Sequence, residues 1–270
     1  AGNVPGLFVT GLKPNSPNPG DLDATVAFSP ANAGGPNISY DGTTVVSSGV
    51  PTDAPQDRSP FSVTFPKAGV YYYECAVHGP DMSGEVVVLP AGAATPETPA
   101  QATSRGTALA AADVKNTLAI ADAFPINPKT TPLANGGTLH ELAAGAPGYH
   151  LSVSQFLPMD YTVKRGDTIT WDQSDIAQFH TVTFLSGAQA PQFLQIIPQP
   201  GGPPKIVLPA AVIVPAGGDT YTGTGIVNSG VLTVGTSFTL KVDAPPGTYQ
   251  YECLFHADDY NMKGTITVTQ

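Results

Sequence analysis

Hydrophobic and polar residues alternate with a period of two along several short stretches of the chain. The clearest stretches in its second half are 161–171, 180–185, 237–242, 248–253 and 264–269. Glycine, proline and aspartate separate them, as is typical where strands end in turns. Because successive side chains on a strand point to opposite faces, the pattern predicts strands with one buried and one exposed face. Many short strands of this kind predict an all-β fold built from β-sandwiches.

One segment, residues 107–124, breaks this alternation. It is rich in alanine, and its apolar residues are spaced as on one face of a helix, so it predicts one short helix. The preceding residues, 89–106, are rich in proline, alanine and threonine and predict a linker.

The chain also repeats itself. Residues 38–50 and 219–231 share a Tyr, a Gly and a Ser-Gly-Val sequence at matching positions. Residues 61–78 match 238–256, and both segments end in a His that follows a Cys by three residues. A repeat on this scale indicates two copies of one domain.

The repeat predicts three regions, which are an N-terminal domain (1–90), a linker with a short helix (91–127) and a C-terminal domain (128–270). Residues 1–90 are too few for a closed sandwich and would leave open sheet edges, so this domain is expected to lack its first strands. Self-association through the incomplete domain is a further expectation.

Composition narrows the classes of function. Only 12% of residues are charged, and the formal net charge is −10. Nucleic-acid binding needs clustered Lys and Arg, so this acidic chain disfavours it, and it would attract a basic partner instead. No apolar run approaches the length of a membrane span. The low Lys and Arg content and the absence of surplus cysteine favour an exported, periplasmic or extracellular protein.

The two cysteines have the same surroundings. Each ends a strand beneath tyrosines, and each is followed by a His and then a Met, in a loop that leads straight into the next strand. The residues are Cys75, His78 and Met82 in the first copy, and Cys253, His256 and Met262 in the second. A disulfide between the cysteines is the alternative for an exported protein, but their matching surroundings disfavour it.

Thiolate, imidazole and thioether are soft ligands, and soft ligands favour copper. A mononuclear blue-copper site also needs a second imidazole, with the methionine as a weak axial ligand. His180, early in a strand of the same domain, is the candidate for that imidazole.

Residues 145–270 resemble a cupredoxin domain of the plastocyanin and azurin type, and residues 1–90 resemble most of a second one. The strand at 161–171, "YTVKRGDTITW", is similar to the strand that precedes the first histidine ligand in that family. The resemblance implies two Greek-key sandwiches, with copper bound in the second by His180, Cys253, His256 and Met262. The gap between His256 and Met262 is slightly longer than in plastocyanin, and loop length in this family varies.

The resemblance implies an electron carrier rather than an enzyme. A redox protein, such as a cytochrome or a respiratory complex, would be its partner. His256 would conduct the electron within an apolar patch that includes Phe255, and Asp258 and Asp259 would attract a basic partner.

The first copy lacks one ligand, because residues 1–74 contain no histidine. The repeat places the matching histidine upstream of Ala1, so the natural protein is expected to extend beyond that residue. The alternatives are that this copy has lost its metal or that another chain completes it. His140 and His150 are interpreted as ordinary polar residues.

Two other classes of function stay open. A multicopper oxidase or nitrite reductase adds a second copper centre built from histidines, and this sequence has no His-x-His pair and a glutamate before each cysteine. A structural or assembly protein of the cell exterior, with the sandwiches as building blocks, is the main alternative to an electron carrier.

Overall fold

A computed structural model of the chain describes residues 38–43, 46, 48, 62–75, 79–124, 128–134, 136–148, 151–175, 178–193, 195–200 and 202–270. The described residues fall into two compact units. One comprises Ala110–Gln195 and Leu208–Gln270, and the other comprises the described part of Gly6–Leu109 together with Ile196–Val207.

Short strands dominate the described chain. In order they are β1 (Ile38–Ser39), β2 (Val63–Thr64), β3 (Gly69–Cys75), β4 (Gly79–Val88), β5 (Thr130–Pro132), β6 (Thr138–Pro147), β7 (Ser152–Leu157), β8 (Asp160–Lys164), β9 (Thr168–Asp172), β10 (Thr183–Phe184), β11 (Gln195–Gln199), β12 (Gly202–Val207), β13 (Thr220–Tyr221), β14 (Val227–Asn228), β15 (Ser237–Val242), β16 (Gly247–Glu252) and β17 (Lys263–Thr269). The helices are α1 (Pro99–Ala123) and α2 (Ala210–Ile213). The predicted all-β class is confirmed.

Helix α1 is longer than the sequence pattern predicts. It begins at Pro99, inside the segment predicted as a linker, rather than at 107. The cause is a capping box, in which Thr98 Oγ1 accepts from the backbone N–H of Gln101 and Gln101 Oε1 accepts from the backbone N–H of Thr98. Proline at the first helical position is favoured because its missing N–H has no intrahelical partner there. The helix therefore includes part of the segment predicted as a linker, and its predicted start at 107 was wrong.

The C-terminal sandwich, formed by β5–β10 and β13–β17, consists of two sheets. One has the strand order β14-β10-β16-β17-β8, and the other has the order β13-β15-β9-β6-β5, with β7 also paired to β6. The pairs β17–β8, β6–β9 and β13–β15 are parallel, and the other pairs are antiparallel.

Aromatic side chains from both sheets fill the core of this sandwich. Trp171 on β9 packs edge-on against Tyr251 on β16 at a ring separation of 5.4 Å, and its Nε1–H donates to the tyrosine hydroxyl. Phe184 on β10 stacks on the same tyrosine at 5.2 Å. These side chains are almost fully buried, and each contributes about 1.5–3 kcal/mol through burial of its apolar surface. The core thereby fixes β16, the strand that leads to Cys253.

The two units repeat one local structure around β3 and β16. Tyr71 donates its hydroxyl to the carbonyl of Lys67, and Tyr249 donates to the carbonyl of Pro245. In each case the acceptor lies four residues before the tyrosine. Tyr73 likewise faces Gly84 across the β3–β4 pair, as Tyr251 faces Gly264 across β16–β17. The sequence repeat therefore corresponds to a repeat of strand pairing in each unit.

Candidate metal centre

Three side chains predicted from the sequence meet at one end of the C-terminal sandwich. One ligand atom from each of His180, Cys253 and His256 lies within 4.8 Å of the other two. Cys253 Sγ is 3.4 Å from Nδ1 of His256 and 3.8 Å from Nδ1 of His180. All three residues are buried. The structure thus brings His180 against Cys253, which lies 73 residues further along the sequence, and against the neighbouring His256.

The loop after β16 positions Cys253, His256 and Met262. The chain turns immediately after the cysteine, because the backbone N–H groups of His256 and Ala257 both donate to the Cys253 carbonyl. The loop closes where Cys253 N–H donates to the Met262 carbonyl at 3.0 Å, and Met262 N–H donates to the His256 carbonyl. Met262 is fully buried and directly precedes β17. The methionine is thereby held beside the cluster.

His180 enters the cluster from a different part of the fold. Its backbone pairs with Leu232 through two hydrogen bonds, and β10 begins three residues later at Thr183. The next residue, Thr181, donates its backbone N–H to Cys253 Sγ at 3.4 Å. A hydrogen bond of this kind stabilises a sulfur that carries negative charge.

A buried polar network connects the segment that follows His180 to the loop that follows Cys253. Thr181 Oγ1 accepts from the backbone N–H of Leu254 at 2.8 Å and lies 3.1 Å from Thr183 Oγ1. Thr183 in turn bonds Asn228 Oδ1, and the Asn228 amide nitrogen donates to carbonyls of the α2 region. Side-chain hydrogen bonds therefore couple the start of β10 to the loop that follows β16.

Charge interactions favour a thiolate in this cluster. Burial raises the pKa of Cys253, but hydrogen bonds and the positive charges of His180 and His256 outweigh it and lower the pKa to about 5. Burial also lowers the pKa of His180, yet Asp175 and Cys253 together raise it to about 9. The protein alone thus stabilises the anionic sulfur that a metal needs as a ligand.

Cys253 is a free, buried cysteine. The alternative of a disulfide involving this residue was therefore wrong.

The predicted residues of the first copy are less fully described. Cys75 ends β3, but its side chain and all of His78 lie outside the described residues. Met82 lies on β4 with 60% of its surface exposed. Residues 1–37 also lie outside the described residues. A second metal site therefore stays a prediction.

The remaining histidines have separate surroundings. His140 is buried, with Nε2 3.0 Å from Asp167 Oδ2 and Nδ1 3.1 Å from the Tyr161 hydroxyl. These contacts suit its interpretation as an ordinary polar residue of the fold. His150 lies outside the described residues.

Sequence reasoning missed two residues that lie against His180. The side chain of Asp175 is fully buried, with Oδ2 3.5 Å from His180 Nε2. Gly145 on β6 has φ +81°, and a Cβ at this position would collide with the same nitrogen. The signal for Asp175 was its place five residues before the histidine, whereas nothing in the local sequence connects Gly145 to the site.

The donor set fits a type 1 copper ion. Two imidazoles and a thiolate, with a weak axial methionine, are the ligands of blue-copper centres. Two packed sheets that hold this set at one end define a cupredoxin-like domain. The resemblance drawn from the sequence is thus confirmed for the fold of the C-terminal sandwich.

Solved structures of several cupredoxins are similar to about half of this chain. Auracyanin from the photosynthetic bacterium Roseiflexus castenholzii is 25% identical, covers 49% of this chain and 96% of its own, and gives a TM-score of 0.32. Oxidised plastocyanin from Dryopteris crassirhizoma is 21% identical, with coverages of 48% and 99% and a TM-score of 0.27. A purple cupredoxin from Nitrosopumilus maritimus is 20% identical, with coverages of 48% and 98% and a TM-score of 0.26. No protein-family model and no curated protein matches the sequence.

Neither helix of the described chain combines the length and the apolar character needed to cross a membrane.

Proposed function

We propose that this chain is a blue copper protein that carries single electrons. The observation that carries the proposal is the buried cluster of His180, Cys253 and His256, with the fully buried Met262 at the end of the same loop. In this proposal the first three residues are the equatorial ligands and the methionine is the axial ligand. Copper bound here would accept and release one electron.

The protein's part is to hold the ligands in nearly the same place in both oxidation states. The hydrogen bond from the Cys253 N–H to the Met262 carbonyl closes the ligand loop (residues 253–262), and Thr181 fixes both the sulfur and the start of the loop. Interiors packed and bonded in this way resist small displacements. Little rearrangement would therefore accompany electron transfer.

An aromatic patch surrounds His256 and supports a route for the electron. The patch comprises Phe179, Phe193, Phe255 and Tyr260, of which Phe193 and Tyr260 are exposed. Phe255 packs against Phe179 at 4.6 Å and Phe193 at 6.1 Å, and Tyr260 lies edge-on to His256 at 5.6 Å. His256 itself is only 7% exposed, so a partner would contact the patch and the histidine edge beneath it.

The charge beside the patch favours a basic partner. Asp258 and Asp259 are exposed and lie in the ligand loop, between His256 and Met262. With a net charge of −10, the chain would attract a basic redox protein, such as a cytochrome or a basic face of a respiratory complex. We further propose that the protein works outside the cytoplasm, because its composition is that of an exported protein.

We also propose the division into domains 1–90 and 128–270 joined by 91–127, with a second copper site at Cys75, His78 and Met82 if a histidine from elsewhere completes it. An oxidase would need a further copper centre built from histidines. Among the described histidines, His140 is the one outside the cluster, and Tyr161 and Asp167 occupy both of its ring nitrogens.

Visible spectroscopy after addition of Cu(II) tests the function. We expect an intense blue colour that a mild reductant bleaches and an oxidant restores. Cys253→Ser should lose the colour of the C-terminal site, and Cys75→Ser is the matched control. A colourless wild-type chain would contradict the proposal and favour a structural or assembly role.

A further inference from the structure

A buried carboxylate lies behind one of the proposed copper ligands. Asp175 Oδ2 is 3.5 Å from Nε2 of His180, and both side chains have 0% exposed surface. The other ring nitrogen, Nδ1, faces Cys253 Sγ at 3.8 Å. The imidazole thus lies between an anionic carboxylate and the sulfur.

This arrangement specifies which ring nitrogen is available to a metal. A histidine binds metal through a deprotonated nitrogen, and the other nitrogen carries the proton. Asp175 is an acceptor for the proton on Nε2, so it favours the tautomer whose Nδ1 is free. Since Nδ1 is the nitrogen on the sulfur side, this is the tautomer that the site requires.

Two donors hold Asp175 in this orientation. The Ser152 hydroxyl donates to Oδ1 at 3.1 Å, and the backbone N–H of Gln178 donates to the same oxygen at 3.3 Å. Oδ2 is thereby left facing the histidine. Burying a carboxylate without such bonds is energetically costly. The contacts on both oxygens therefore stabilise Asp175 in its buried position.

Gly145 also limits the position of the ring. Its backbone lies so close to His180 Nε2 that a Cβ at this position would collide with the ring. The ring therefore has little room to move toward β6.

We propose that Asp175 is a positioning residue that orients His180 and lowers the reduction potential of the copper. The inference rests on the proposed function of the site. A fixed negative charge one imidazole away from the metal stabilises the more positive oxidised state relative to the reduced state. In a fully buried location this interaction is only weakly screened.

The test compares Asp175→Asn with wild type in the copper-loaded full chain, by spectroelectrochemical titration of the blue absorption. Asp175→Asn should retain the colour and show a higher reduction potential. Asp258→Asn is the matched control, because it removes the same charge from an exposed position in the ligand loop. Its shift should be smaller and should shrink further in high salt.

Ser152→Ala provides a second variant whose expected shift has the opposite sign. Loss of the hydroxyl donor leaves more negative charge on the Asp175 carboxylate, so the reduction potential should fall. This variant also carries the test if Asp175→Asn does not fold, which circular dichroism of the copper-free protein would show.

Nuclear magnetic resonance of the ¹⁵N-labelled histidines gives a readout independent of electron transfer. In the reduced, diamagnetic protein, the His180 Nε2–H should exchange slowly with solvent in wild type and faster in Asp175→Asn. If wild type turns blue but neither Asp175→Asn nor Ser152→Ala moves the potential more than Asp258→Asn does, the inference about Asp175 is wrong and the copper site stands. If wild type never turns blue, the proposed function fails, and this inference fails with it.

Discussion

The backbone N–H of Thr181 lies 3.4 Å from Sγ of Cys253, and the Thr181 hydroxyl accepts from the N–H of the residue that follows that cysteine. One residue beside the first histidine therefore holds both the sulfur and the start of the ligand loop. Because this contact joins two distant parts of the chain, it makes the geometry of the site depend on the packing of the whole sandwich.

The hydroxyl of Thr181 should therefore contribute measurably to stability. Thr181→Val keeps the backbone N–H that faces the sulfur but leaves the buried N–H of Leu254 without its acceptor, which costs about 1–3 kcal/mol. Urea denaturation of the copper-free protein should show that loss. Thr162→Val, an exposed change on β8, should stay within about 0.5 kcal/mol of wild type. Equal effects in the two variants would mean that the hydroxyl does not hold the loop.

A methyl group at Gly145 should disturb the site as well as the backbone. Gly145→Ala introduces a residue at φ +81° and also a collision with His180 Nε2. Gly235→Ala is the matched control, because its φ of +79° carries the same backbone penalty of roughly 1–2 kcal/mol with no atom within 4 Å of the new Cβ. Both variants should lose stability, but only Gly145→Ala should lose copper affinity in a competition titration. Unchanged affinity in Gly145→Ala would show that His180 has room to move.

The stability of the folded protein should depend on pH through the carboxyl of Asp167. Burial raises the pKa of this carboxyl, but bonds from Lys164 N–H, His140 and Thr138 N–H outweigh burial and hold the pKa below 3.8. A lowered folded-state pKa contributes stability in full above the unfolded value of about 3.9, and that contribution is lost as the pH falls through the folded value. Asp167→Asn should therefore be destabilising at pH 7, and its difference from wild type should shrink below about pH 4.

Asp172 offers the opposite case for the same measurement. Burial and the nearby Glu141 raise its pKa, so its charged form is disfavoured in the folded protein. Asp172→Asn should be neutral or slightly stabilising at pH 7 in urea denaturation.

For Asp167→Asn, a destabilisation that persists unchanged in acid would contradict the expected role of the Asp167 carboxylate.

Association with a basic redox partner should depend on the acidic residues of the ligand loop. A double variant, Asp258→Asn with Asp259→Asn, should slow electron transfer from a basic cytochrome at low ionic strength, because attraction between opposite charges speeds encounter. Stopped-flow rates should converge with those of wild type in high salt. Asp122→Asn removes one negative charge on α1, at a position far from the ligand loop in the sequence. This variant should have a smaller effect. A rate that changes neither with the substitutions nor with salt would exclude electrostatic steering by these residues.

Much of this site is predictable because the types of its ligand residues identify its chemistry. Cysteine is rare in this chain, so its recurrence with histidine and methionine after the same strand pattern indicated the loop. His180 was found through the strand that precedes it. The helix start at Thr98 was also readable, since Thr-x-x-Gln with a proline between them is a helix-start signal that the linker-like composition concealed.

The rest depends on tertiary contacts that a sequence does not display. Thr181 bonds the sulfur through its backbone, which every residue except proline could do. Gly145 matters because a distant imidazole lies against it, and its neighbours in sequence give no sign of that contact. Asp175 could equally have been a solvated turn residue until its burial beside His180 was seen.

X-ray absorption at the copper edge tests most directly whether these four residues form one site. We expect one short copper–sulfur distance and two nitrogen ligands in the C-terminal site. Cys253→Ser should lose the sulfur scatterer, and His180→Gly should lose one nitrogen. Cys75→Ser should leave that ligand set intact. A copper shell of oxygen and nitrogen alone, unchanged by either C-terminal substitution, would contradict the account.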